Sequence, residues 1–300
     1  MMDWVERKDG LAFAAATLFL IVLTTAGKAP GLSASIALLA VGVVLFGLPH
    51  GALDPLVAKR VLGTNSLLSF SLFLVAYALV AAAYGLAWWW SAPFGLATFL
   101  CISAFHFGTD WEQRGHLLTR CAYGLAIVTI PTLRYASEVQ KIYAILSPSA
   151  AQSLVHFSRM FAVPAAIAAL SAAIAHWHQR RRDLLEFVCL LIGALFLHPL
   201  LYFACYFCFL HSPRHLFETA REEGLSSIRT IAWAAAPATV APVLLAAVFF
   251  ARSAPGALNE SLLQIVFVGL AVLTVPHMIL QAIAHTRSRQ LTLMAHFQRR

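Results

Sequence analysis

The sequence predicts an all-α fold, a polytopic transmembrane helical bundle of about eight to ten membrane segments, some of them short or broken. Three observations predict it. Of 300 residues, 60% are hydrophobic and only 11% charged, where soluble domains carry roughly 25% charged residues; mean hydropathy is +0.78. Apolar runs recur along the whole chain. The basic residues fall as short clusters between those runs, as in QRRRD at 179–183 and TRSRQLTLMAHFQRR at the end, which is how cytoplasmic flanks of membrane spans are charged. The net charge of +8 therefore does not indicate nucleic acid, since no stretch joins a basic patch to a polar, aromatic-studded surface.

Taken in order, the apolar runs are Leu11 to Ala26, Ser35 to Leu48, Leu67 to Trp90, Phe94 to Phe107, Leu117 to Ile130, Phe161 to Trp177, Leu184 to Leu210, Ile228 to Phe250 and Leu262 to Ala282. The first could imitate a signal peptide, but cleavage would leave the other runs unexplained, so a retained helix is expected. Several runs fall short of the roughly 20 residues of a full span. Two of the short ones end at PHG and FHFG, and a helix that stops within a membrane must bury its end against protein or a cavity. With no repeat or soluble linker visible, residues 1–300 read as one integral membrane domain, with 286–300 a basic cytoplasmic tail.

Charge asymmetry gives a rough topology: Arg7 and Lys8 inside, Lys28 outside, Lys59 and Arg60 inside, the WWWSAP turn outside, and Arg114 and Arg120 inside. Simple counting then leaves the basic tail outside and places His211 and His215 opposite His50 and His106. One run between Leu117 and Leu210 is therefore expected to be re-entrant, strongly broken or peripheral, with HPLLYFACY at 198–206 the natural break. The five cysteines lie in or beside apolar runs, and CYFC at 205–208 lacks a second pair, so they read as small hydrophobes.

Twelve histidines are present. His116, His176, His178, His285 and His296 sit beside charged segments and read as interfacial; His156 and His198 offer little more. The other five are His50 in GLPHGALD, His106 in SAFHFGTDW, His211 and His215 in CFLHSPRHLF, and His277 in VPHMIL. Each lies at or near the end of an apolar run, where an unpaired imidazole is costly and rare. One such histidine is explained by a hydrogen bond to a carbonyl at a helix break; a set of five is better explained by a shared ligand.

In HSPRH, Ser212 suits an N-cap and Pro213 the first helical position, which would put the two histidines at the positive end of a helix and keep them neutral. Asp54 and Pro55 suggest the same cap and start, or else Asp54 orients a ligand imidazole. With few carboxylates nearby (Asp54, Asp110, Glu112) and CYFC the only thiolate candidate, a nitrogen-rich site for iron, copper or zinc is indicated. No HExxH glutamate is present to activate water for hydrolysis. Segments such as LLYFACYFCFLH and FLCISAFHFG are rich in aromatic and aliphatic residues, which would build an apolar slot suited to a long hydrocarbon.

FGLPHGALD, AFHFGTDW and CFLHSPRHLF, in that order and followed by VPHMIL, resemble the membrane β-carotene 15,15'-dioxygenases of bacteria and archaea, the Brp/Blh family, over about Val41 to Ala284. The resemblance implies a non-haem iron-dependent enzyme of the cell inner membrane. Such an enzyme cleaves β-carotene at its central double bond with dioxygen and gives two molecules of all-trans-retinal, with a functional link to a microbial rhodopsin. It implies a ferrous ion held by His50, His106, His211 and His215 as catalytic and metal-binding residues. Asp54, Phe105, Phe107 and His277 stand as candidates beside the metal or the substrate.

Three other readings remain to be weighed. Membrane di-iron desaturases need clustered histidines, and one HxxxH is present here. A transporter or channel using intramembrane histidines needs polar residues across the bilayer, and the apolar runs carry few. A retinal-binding receptor needs a mid-membrane lysine for its Schiff base, whereas Lys8, Lys28, Lys59 and Lys141 lie in terminal or loop-like contexts.

Overall fold

Residues 9–111, 116–178 and 180–297 are described by a computed structural model, and every regular element among them is helical. Arg7, Lys8, Glu112 and Arg114 lie outside the described residues, as do the last three of the tail. In chain order the helices are α1 (Asp9–Thr25), α2 (Leu32–Gly42), α3 (Asp54–Leu62), α4 (Leu67–Trp90), α5 (Ala92–Phe107) and α6 (Leu117–Thr129). There follow α7 (Ala136–Leu146), α8 (Ala151–Ala175), α9 (Arg181–Phe196), α10 (Pro199–Tyr206), α11 (Ser212–Glu222), α12 (Ile228–Ala251) and α13 (Leu258–Phe297).

Among the described residues, six helical stretches are long and apolar enough to cross a membrane: Leu32–Leu62, Leu67–Trp90, Ala92–Asp110, Ala151–Ala175, Ile228–Ala251 and Leu258–Arg287. The 17-residue α1 is the shorter apolar helix beside them. The runs expected at Leu117 to Ile130 and Leu184 to Leu210 form helices of 13, 16 and 8 residues instead. The break expected in the second run falls between Phe196 and Pro199, where His198 Nδ1 accepts the Leu200 N–H at 3.3 Å as an N-cap. At about 1.5 Å per residue, 16 residues reach only ~24 Å, short of the ~30 Å hydrocarbon thickness.

Close packing follows small residues. Ala162, Ala165, Ala169 and Ala173, all buried, line one face of α8, which packs on α6. Gly124 of α6 lies against the Ala104 carbonyl of α5, and Gly108 against the Arg120 carbonyl; a β-carbon at either would overlap backbone. Without a hydrophobic driving force between helices in lipid, the packing that such backbone proximity allows is what makes their association favourable. It fixes the end of α5, where His106 sits.

Two segments depart from α geometry. Val43–Gly47 and Phe207–His211 are π-turns, each followed by one residue and then a proline, Pro49 and Pro213. Leu48 N–H bonds to Val43 C=O and Ser212 N–H to Phe207 C=O, the five-residue spacing of a π-turn. A proline cannot donate to the carbonyl four residues back and clashes with it, and the wider turn accommodates that loss without ending the helix. The expected caps are therefore absent. Ser212 is buried, its hydroxyl makes no capping bond, and the chain runs helically from α10 into α11. Asp54 makes no cap either, and turns its carboxylate elsewhere.

Candidate metal centre

The PHG, FHFG, HSPRH and VPHMIL motifs meet at one place. His50 is carried by the turn after the first π-turn, His106 by the end of α5, His211 by the second π-turn, His215 by α11 and His277 by α13. Ring centroids are 4.7 Å apart for His106 and His211, 4.6 Å for His211 and His215, and 5.2 Å for His106 and His215. His277 lies 5.3 Å from His50 and 5.5 Å from His106, and His50 lies 5.5 Å from His211. His106, His211 and His277 are buried.

Two three-histidine groups offer ring nitrogens within 4.8 Å of one another: His50, His106 and His277, and His106, His211 and His215. Metal–imidazole bonds of about 2.1 Å put three ligand atoms roughly 3.0–3.6 Å apart around an ion, so shifts of about 1 Å in each ring would close either group. Among the described residues, the buried Nε2 atoms of His106 and His211 have no hydrogen-bond partner. Buried polar atoms are nearly always satisfied, and two orphaned lone pairs facing a common space fit a metal ion. With nitrogen donors alone, the set suits iron, copper or zinc rather than calcium or magnesium.

The opposite ring nitrogens are held. His50 Nδ1 contacts the Gly47 carbonyl, which can only accept, so that nitrogen carries the proton. His211 Nδ1 and His215 Nε2 lie 3.1 and 3.0 Å from Asp110 Oδ1, and Tyr206 donates its hydroxyl to Asp110 Oδ2 at 2.6 Å. A carboxylate accepting from a ligand imidazole fixes its tautomer and aims the free lone pair. Here one carboxylate does this for two rings.

Asp110 is braced in turn. Arg214 donates to its backbone carbonyl at 3.0 Å and forks onto Glu186 at 3.0 and 2.8 Å, and Arg182 reaches the same Glu186 at 2.6 Å. A second carboxylate, Asp54, accepts from Tyr77 at 2.8 Å and from His277 Nδ1 at 2.9 Å. Asp110, Tyr206 and Tyr77 are the residues that sequence reasoning did not place at the site. The signal for the first was present: HGALD and HFGTD both set an aspartate four residues after a histidine, one helical turn away.

Of the two phenylalanines expected beside the substrate, Phe107 lies 4.8 Å from the His211 ring. Phe105 is not brought to the cluster; it is 40% exposed, with the Arg120 guanidinium 3.7 Å from its ring centre. Phe107 also faces a cavity of about 100 Å³ lined by Leu96, Phe99, Ile142, Phe203 and Phe267 among others. Cys205 and Cys208 are buried and unbridged, as expected of small hydrophobes, whereas Cys101 is exposed.

Fold and site together define a class: a helical protein with membrane-length spans and a buried, carboxylate-braced histidine centre. Residues 41–285 match the family model described as Beta-carotene 15,15'-dioxygenase, and the chain belongs to that family. It is 30% identical over 249 residues to the Beta-carotene 15,15'-dioxygenase of an uncultured marine bacterium, 66A03, covering 79% of this chain and 90% of that one. It is 27% identical over 286 residues, covering 82% and 83%, to a Halobacterium salinarum protein named as a probable beta-carotene 15,15'-dioxygenase, Blh. No solved structure matches the chain.

Proposed function

We propose that this chain cleaves β-carotene at its central 15,15' double bond with dioxygen, giving two molecules of all-trans-retinal, at a ferrous ion held by His50, His106, His211 and His215. The observation that carries the reading is the convergence of these imidazoles, two of them buried and two half-buried, in a member of this family. Family membership does not favour the transporter alternative. The inner membrane is the expected location, and a microbial rhodopsin the expected consumer of the product.

Ferrous iron, when bound, supplies the one-electron chemistry that lets dioxygen react with a closed-shell polyene. The chain supplies the rest. Asp110 holds the proton of His211 Nδ1 and that of His215 Nε2, leaving His211 Nε2 and His215 Nδ1 as donors. The Gly47 carbonyl does the same for His50. Phe107, Phe207 and Tyr206 pack around His211, at 4.8, 5.5 and 5.9 Å between ring centres, and exclude water from its apolar side.

A symmetrical hydrocarbon offers no polar handle, so position along it must be read by shape. The apolar cavity of about 100 Å³ beside Phe107 is where one arm would enter. Incubating purified, iron-loaded protein with β-carotene under oxygen, followed by product chromatography, tests the reading. Retinal as the dominant product supports it; other apocarotenals, or cleavage undiminished without oxygen, refute it. Alanine at any one of the four histidines should abolish most of the activity with membrane insertion intact.

A further inference from the structure

We infer that His277 is a fifth ligand of the same ion, held in place by Asp54 and Tyr77 as His211 is held by Asp110 and Tyr206. The inference rests on the reading of the histidine cluster as a metal centre. It starts from an internal likeness. Asp110 lies four residues after His106, accepts a tyrosine hydroxyl at 2.6 Å and faces His211 Nδ1 at 3.1 Å. Asp54 lies four residues after His50, accepts a tyrosine hydroxyl at 2.8 Å and faces His277 Nδ1 at 2.9 Å. Each histidine motif thus brings its own aspartate, and each aspartate reaches past its own histidine to brace a ring from a distant helix.

The plain alternative is that Asp54 and His277 form a buried pair that ties α13 to α3. Such a pair does not dictate where the rest of the ring points. Here, however, His277 brings a ring nitrogen within 4.8 Å of ring nitrogens of both His50 and His106. With Nδ1 committed to Asp54, the remaining lone pair is that of Nε2. This is the arrangement of ligand imidazoles generally, with one nitrogen on a carboxylate and the other on the metal. Pro276, immediately before it in α13, removes a backbone hydrogen bond and loosens the helix there, which gives the ring freedom to approach. The two triads share His106, and His50 of the first lies 5.5 Å ring to ring from His211 of the second, so the five rings surround one space.

The test uses full-length protein in detergent, loaded anaerobically with ferrous iron, in wild-type, His277→Ala, His277→Gln and Tyr77→Phe forms. Iron affinity is measured by chelator competition and coordination by X-ray absorption at the iron edge. His277→Ala is expected to weaken affinity at least ~10- to 100-fold and to change the edge features to those of a lower-coordinate site. Free imidazole should restore both, which a merely structural pair could not show. Tyr77→Phe keeps the ligand and should lower affinity less, with the wild-type spectrum retained. Unchanged affinity and spectrum in His277→Ala or, should that variant not fold, in His277→Gln would overturn the inference. Wild-type protein that takes up no stoichiometric iron would instead overturn the metal-centre reading beneath it, and that arm is read before any variant.

Discussion

Asn in place of Asp110 keeps the side-chain shape and removes what the site asks of it. The carboxylate accepts from Tyr206, His211 and His215 at once; an amide offers one acceptor oxygen and turns two donor hydrogens toward groups that also donate. Hydrogen bonds to a charged partner contribute ~1.5–3 kcal/mol each, so the two imidazole contacts together hold about 3–6 kcal/mol of orienting energy. Only the part lost on reorientation reaches the metal. Removing one such outer partner costs 10- to 100-fold in metal affinity, and with two rings on one carboxylate the upper end applies, ~2.7 kcal/mol. The Arg214 bond goes to the Asp110 backbone carbonyl and survives the change. Anaerobic ferrous titration against a chelator, with circular dichroism to confirm the fold, measures the effect. Affinity for Asp110→Asn within about threefold of wild type, ~0.7 kcal/mol, while His211→Ala loses its iron, would refute the reasoning.

Two further outcomes are expected. Phe107→Leu should shift cleavage toward apocarotenals other than retinal without changing iron content, whereas Phe105→Ala, whose ring faces Arg120, should leave the products unaltered; chromatography of both variants decides. In a cysteine-free background, Thr286→Cys should react with a membrane-impermeant thiol reagent only from the cytoplasmic side, since we propose that the basic tail is cytoplasmic. Labelling from the outside would reverse the topology.

The helices and the histidines were legible for one reason: in lipid, both an apolar run and an imbedded imidazole are expensive to misplace. His50, His106, His211, His215 and His277 announced themselves by standing where a side chain that wants hydrogen bonds has no water. Tyr77 and Tyr206 did not, because a tyrosine in an apolar helix looks the same whether its hydroxyl serves a carboxylate or a headgroup. Asp110 was visible only as one of few acids near the histidines. Asp54 and Ser212 each precede a proline and so suggested helix starts; a helix does start at Asp54, without the side-chain cap, but at Ser212 the π-turn, which a sequence does not advertise, lets the chain pass through Pro213 without stopping. Phe105 and Phe107 flank one histidine, yet positions two apart on a helix are turned by about 200°, so with Phe107 against His211 the Phe105 ring faces the other way, under Arg120.

The paired π-turns set how this chain can change over generations. Each turn holds one residue more than an α-helical turn would, and the two lie against each other, Gly47 on Phe207 and Gly42 on Cys208. Loss of a single codon within Val43–Gly47 would restore an ordinary helix of nearly the same length and still satisfy the membrane, while rotating everything beyond it by about 100° and carrying His50 off the centre. Substitutions on the lipid-facing surface leave that register alone. Descendants of this chain are therefore free to drift in spelling at exposed positions such as Val44, Leu45 and Phe46, but not in length.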